Sequence, residues 1–128
     1  MADAFDRYVP EMIETRRRIH KRPELGWTEF ETTAIVAKKL TELGFEIHLG
    51  REVVNPEAVL GRDPKAVEEA IARAREAGVP EELLKRMNGY TGCVGILDTG
   101  RPGPTLAFRH DMDALPIQEI TDPASDHL

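Results

Sequence analysis

Apolar residues along this chain recur first at helical and then at strand spacing. Between residues 4 and 21, Phe5, Tyr8, Val9, Met12, Ile13 and Ile19 stand close to the i, i+3, i+4, i+7 spacing of an amphipathic helix. Pro10 fits only a first turn, so the regular helix is expected from about Val9, with a looser turn before it. Pro23 bars continuation, and Pro23, Glu24, Leu25 and Gly26 make a connecting turn. Thr28 followed by Glu31 matches a capping box, which predicts a helix over 29–43 with Phe30, Ala34, Ala37, Leu40 and Leu43 as its buried stripe and Gly44 as its left-handed end. Residues 45–49 alternate apolar and polar, as a half-buried strand with Glu46 and His48 outward would. A helix, a glycine turn and a strand form the αβ unit of a layered fold.

Residues 51–62 read as irregular. Asp63 and Pro64 then supply an N-cap and a first-turn proline, Val67, Ala70, Ile71 and Ala74 make a narrow stripe, and Gly78 ends the helix. Val79-Pro80 restarts a short helix through Leu83, Leu84 and Met87, closed by Asn88-Gly89. With Lys and Glu mixed through it, this pair reads as a helical surface insertion at about 56–89, an oligomer contact being the sharper alternative. Residues 91–98 and 104–111, joined by the loop 99–103, predict a β-hairpin.

The densest chemistry follows that second strand. A period of two puts Arg109, Asp111 and Asp113 on one face and Phe108, His110 and Met112 on the other. Two carboxylates thus emerge at a strand end, where open α/β sheets bind ligands, although Asp-x-Asp is also ordinary turn chemistry. His110, sharing a face with Phe108 and Met112, reads as a core histidine, and the four histidines show no ligand spacing.

Composition narrows the classes. With 41% apolar and 31% charged residues the chain fits a folded domain, and no window approaches the ~18 consecutive apolar residues of a transmembrane helix. The first residues lack the basic-then-apolar layout of a signal peptide, so a cytoplasmic protein is expected. A net charge of -6 argues against nucleic acid or an anionic membrane as main partner, and the basic run Arg16, Arg17, Arg18, Lys21 and Arg22 fans around its helix as a solvated face. Cys93 is the only cysteine, which leaves no disulfide framework and suits a small buried hydrophobe. No Walker-type glycine loop, GxSxG elbow or HExxH helix is present.

Two stretches carry a resemblance: Arg18-Ile-His-Lys-Arg-Pro-Glu-Leu-Gly26 with Glu29 and Thr32, and Ala107-Phe-Arg-His-Asp-Met-Asp-Ala-Leu-Pro-Ile-Gln-Glu119. Together they resemble the N-terminal part of metal-dependent amidohydrolases and exopeptidases, a group with aminoacylases, hippurate hydrolases and auxin-conjugate hydrolases. Residues 49–55, the helical segment and residues 97–104 are most similar to the branch acting on aroyl-glutamates. The resemblance implies an α/β fold, in which residues 1–128 form the N-terminal part of a layered catalytic domain with a central sheet flanked by helices, incomplete within this chain and lacking the lid or dimerisation domain. It implies a hydrolase cleaving the amide bond of small-molecule N-acyl amino acids, with a divalent metal, zinc or manganese, in the full-length protein and a homo- or hetero-oligomeric state. No metal ligand and no catalytic residue carries over, because the family's ligand block is not in this sequence. Asp113 takes the place of an aspartate that orients a metal-bound imidazole in distant branches, with Asp111 as its neighbour. This chain alone is expected to be inactive and to hold no metal; the second reading is a truncated, non-catalytic scaffold or small binding domain.

Overall fold

The computed structural model describes residues 2–118. Glu119, the last residue of the resembling stretch, and the polar run from Thr121 lie outside them. The described residues fall into two compact units, one made of residues up to Pro23 with those from Ala114 on, the other of Glu24–Asp113.

In the first unit, helix α1 spans Ala2–His20 without a break at Pro10. The looser first turn expected before Val9 is not present: proline removes one backbone donor, but its fixed φ is already helical, so the helix runs on. The apolar stripe is laid out as its spacing predicts and yet stays uncovered, with Phe5, Tyr8, Met12 and Ile13 all exposed. Beyond the helix, the Gln118 side-chain amide donates to the Lys21 carbonyl at 3.3 Å.

The second unit begins with a carboxylate. Helix α2, Phe30–Glu42, starts where the sequence predicts, but no Thr28–Glu31 capping box holds it. Thr28 Oγ1 instead donates backwards to the Leu25 carbonyl at 2.7 Å. The first-turn amides of Glu31 and Thr32 are taken by the two carboxylate oxygens of buried Glu24, at 3.0 and 2.8 Å, and the Thr32 hydroxyl adds a third bond at 2.7 Å. One anion from the preceding turn thus satisfies two orphan amides at the positive end of the helix, more than one threonine hydroxyl offers.

At its far end, α2 closes on Gly44 at φ +85, and the Phe45 amide returns to the Leu40 carbonyl at 3.0 Å, the left-handed ending that turns the chain into strand β1, Glu46–Leu49. Phe30, Ala34 and Ala37 are buried as expected, whereas Leu43, at the C-cap, is exposed. Helices α3, Pro64–Glu76, and α4, Glu81–Met87, follow, α3 capped by the Asp63 carboxylate on the Lys65 amide at 3.0 Å and α4 by left-handed Asn88. The pair is more than a surface feature: Val67, Ala70 and Ala74 of α3 and Leu84 and Met87 of α4 join Phe30, Ala34, Ala37 and Leu49 in one core. Each large apolar side chain buried there contributes roughly 1.5–3 kcal/mol.

Strand β2, Cys93–Ile96, pairs antiparallel with β1, Glu46 opposite Ile96 and Leu49 opposite Cys93. The predicted hairpin between 91–98 and 104–111 is therefore not formed, and no strand is assigned among the described residues after β2. The apolar run 105–108 carries the side chains of a strand but meets no partner edge, and Leu106 and Phe108 are 73% and 82% exposed. The ladder is continued by Gly50, whose amide donates to the Gly92 carbonyl at 2.9 Å; its φ of +47 suits glycine, and the backbone of Met87 and Tyr90 leaves no room there for a β-carbon. Replacing Glu24 by Ala should cost about 1–2 kcal/mol in denaturant unfolding, the scale of a lost helix cap, since no other side chain caps those amides; an unchanged midpoint would return the capping role to Thr28.

Candidate active site

Where α2 begins, the chain supplies a second buried acid. Glu29, the residue before the helix, is buried, and the Thr91 hydroxyl donates to its carboxylate at 2.6 Å. One turn further along the same helix face, the buried Thr33 hydroxyl accepts the Gly92 amide at 3.1 Å. Two side chains at this end of α2 thereby fix the residues that lead into β2, across a sequence gap in which α3 and α4 are folded.

An open pocket of about 300 Å³ lies at this junction, lined by Gly26, Trp27, Glu29, Thr91 and Gly92 together with His110, Asp111, Met112 and Asp113. The two aspartates singled out from the sequence are thus brought to one site. Their surroundings differ: Asp111 is exposed and engaged by the Arg109 guanidinium at 2.8 Å, whereas Asp113 faces Glu29 closely enough for the two negative charges to repel. The strand alternation expected for this segment is not realised, since four consecutive residues line one pocket. His110 is correspondingly exposed and packs in no core with Phe108, because without a strand there is no apolar face to bury it.

Burial pushes the Glu29 carboxyl above the usual carboxylate range, Asp113 and Glu24 push it the same way, and the Thr91 hydroxyl partly opposes them. Elsewhere a structural ion pair ties α4 to the end of β1: Arg86 holds Glu52 by two bonds, at 3.1 and 3.0 Å, and also donates to the Ile47 carbonyl at 2.9 Å, and this bonding lowers the Glu52 pKa. Cys93 is half-buried, its thiol raised by burial.

The pocket does not fit a divalent metal by itself. Among the described residues no three His, Cys, Asp or Glu side chains come together as a metal-holding group. Asp111 is already neutralised by Arg109, and Glu29 is bonded to Thr91 and biased towards its protonated form. Sequence reasoning placed Asp111 and Asp113 and missed Thr91 and Trp27, whose positions in a predicted strand and beside a predicted turn gave no sign of a site; Glu29 was visible only as part of the resembling stretch.

The comparisons with known proteins agree in direction. The chain is 49% identical over 116 residues to an indole-3-acetyl-aspartic acid hydrolase from Enterobacter agglomerans and 44% identical to a component of the p-aminobenzoyl-glutamate hydrolase of Escherichia coli, matching 89% of this chain and 27% of each relative. A crystal structure of an aminobenzoyl-glutamate utilization protein from Klebsiella pneumoniae superimposes with a TM-score of 0.84 at 45% identity, over 89% of this chain and 29% of that one. No family model matches the chain. It therefore spans little more than a quarter of the length of these relatives.

A raised carboxyl has a sign in stability. The folded state holds the Glu29 proton more tightly than the unfolded chain does, so the contribution is full below the ordinary value of 4.5 and is lost as pH rises through the higher folded value. Thermal midpoints of the wild type should therefore fall relative to Glu29→Gln as pH rises from about 4.5 towards neutrality; a difference that stays flat or reverses would show that Thr91 outweighs burial.

Proposed function

We propose that the chain belongs to the amidohydrolase family of these relatives and forms the N-terminal part of an enzyme hydrolysing the amide bond of N-acyl amino acids with aromatic acyl groups. The observation that carries this reading is the convergence of Asp111 and Asp113 with buried Glu29 on one pocket, in a chain so similar to named hydrolases of such amides. Cleaving an amide requires that charge developing on the carbonyl be stabilised and that a proton be delivered to the leaving nitrogen. The groups here suit a supporting part in that chemistry. Asp113 is an accessible carboxylate held near a second acid, able to orient a neighbouring side chain by accepting its N–H.

A divalent metal, zinc or manganese, belongs to the same proposal for the whole enzyme, although the described residues of this chain do not assemble its ligands. The partner is a small molecule. Assembly with further chains is also proposed, supported by the name of the Escherichia coli relative, which designates it one subunit of its hydrolase. Among the described residues no helix is long and apolar enough to cross a membrane.

In the whole enzyme carrying this stretch, Asp113→Asn should lower kcat/KM for an aroyl-glutamate roughly 10- to 100-fold with an unchanged melting curve, the usual consequence of losing a carboxylate that orients a reacting group. His110→Ala should leave the melting curve unchanged as well, since its ring is exposed. Full turnover in Asp113→Asn would remove that residue from the site.

A further inference from the structure

One residue in the lining of the pocket is a tryptophan with a strained backbone. Trp27 lines the pocket with Met112 and holds φ at +67, a left-handed conformation that a bulky side chain rarely adopts. Two bonds keep it there: the indole Nε1 donates to the Leu60 carbonyl at 2.9 Å, and the next residue, buried Thr28, has its amide on the Leu25 carbonyl at 2.9 Å. The turn closed by that amide needs a left-handed residue at its third position, where glycine or asparagine would sit with less strain than a tryptophan. The ring is not there for the core, since Trp27 remains half-exposed instead of joining the buried cluster. What the conformation does accomplish is to set a flat ring, held by its bond to Leu60, in the lining of a pocket that also bears His110, Asp111 and Asp113. Strained residues held by surrounding bonds are often retained because they present a side chain to a ligand.

We infer that Trp27 is a specificity-determining residue, its indole face receiving the aromatic acyl group of the substrate while the amide lies towards Asp113. The inference rests on the proposed hydrolase reading and deepens it. An aromatic ring stacks on an indole in an offset or edge-on manner, gaining affinity beyond the area covered, whereas an acetyl group covers the same face without that gain. Met112 adds a polarisable flank for the ring. Acids near an aromatic acyl group also suit rings carrying an N–H donor.

The test compares benzoyl-glutamate with N-acetyl-glutamate in the whole enzyme. Trp27→Leu should raise KM for benzoyl-glutamate about tenfold while leaving kcat and the weaker N-acetyl-glutamate kinetics nearly unchanged. Trp27→Phe, which keeps a ring but loses the bond to Leu60, should retain most of the preference and serves where the leucine variant does not fold. Equal effects on both substrates, or none, would overturn the inference. A wild-type enzyme that cleaves neither would instead refute the hydrolase reading. In that event fluorescence of this 128-residue chain still decides the role of the ring, because Trp27 is its only tryptophan: saturable quenching by benzoyl-glutamate and not by N-acetyl-glutamate supports it, and identical responses contradict it.

Discussion

A buried hydrogen bond, from the Thr91 hydroxyl to Glu29, joins the start of α2 to the entry of the second strand. Sixty-two residues separate the partners, and the chain between them contains the first strand and both later helices. Closing so long a loop costs conformational entropy, which the core of Phe30, Leu49, Val67 and Met87 offsets by burial. Burial alone is non-directional, however. The hydroxyl–carboxylate bond and the adjacent Gly92–Thr33 bond set the register in which the strand arrives, and hence which edge meets β1.

Two glutamates five residues apart do different work at this helix start because their surroundings differ. Glu24 accepts two backbone amides and a hydroxyl, and its negative charge sits at the positive end of the helix. Glu29 has one hydroxyl donor and two acidic neighbours, so burial dominates and its proton is held more tightly. The first acid stabilises a helix; the second can hold a proton beside Asp113 in an open pocket, which is a setting for chemistry.

Much of the fold was legible in local pattern. The αβ unit closed by Gly44, the Asp63-Pro64 start of α3 and the left-handed Asn88 all follow from residues whose geometry is decided within a few positions. What was not legible depended on distant partners. Alternation suggested that residues 104–111 would pair with 91–98, but strand pairing is a property of two segments, and it is β1 that takes the edge of β2, the Gly50 amide continuing the ladder onto the Gly92 carbonyl. The Thr28–Glu31 spacing was equally plausible as a cap until Glu24, folded back from the preceding turn, occupied the amides. In the site, the acids of 111 and 113 were visible as a motif, whereas Thr91 and Trp27 became site residues only through tertiary contact.

Glu29 and Thr91 act as a pair, and a double-mutant cycle on them measures this directly. Denaturant unfolding of the wild type, Glu29→Ala, Thr91→Val and the double variant should give a coupling of about 1 kcal/mol or more, because each single change leaves the other buried group without its partner. A coupling near zero would contradict this pairing and leave the junction between helix and strand to apolar packing and the Gly92–Thr33 bond.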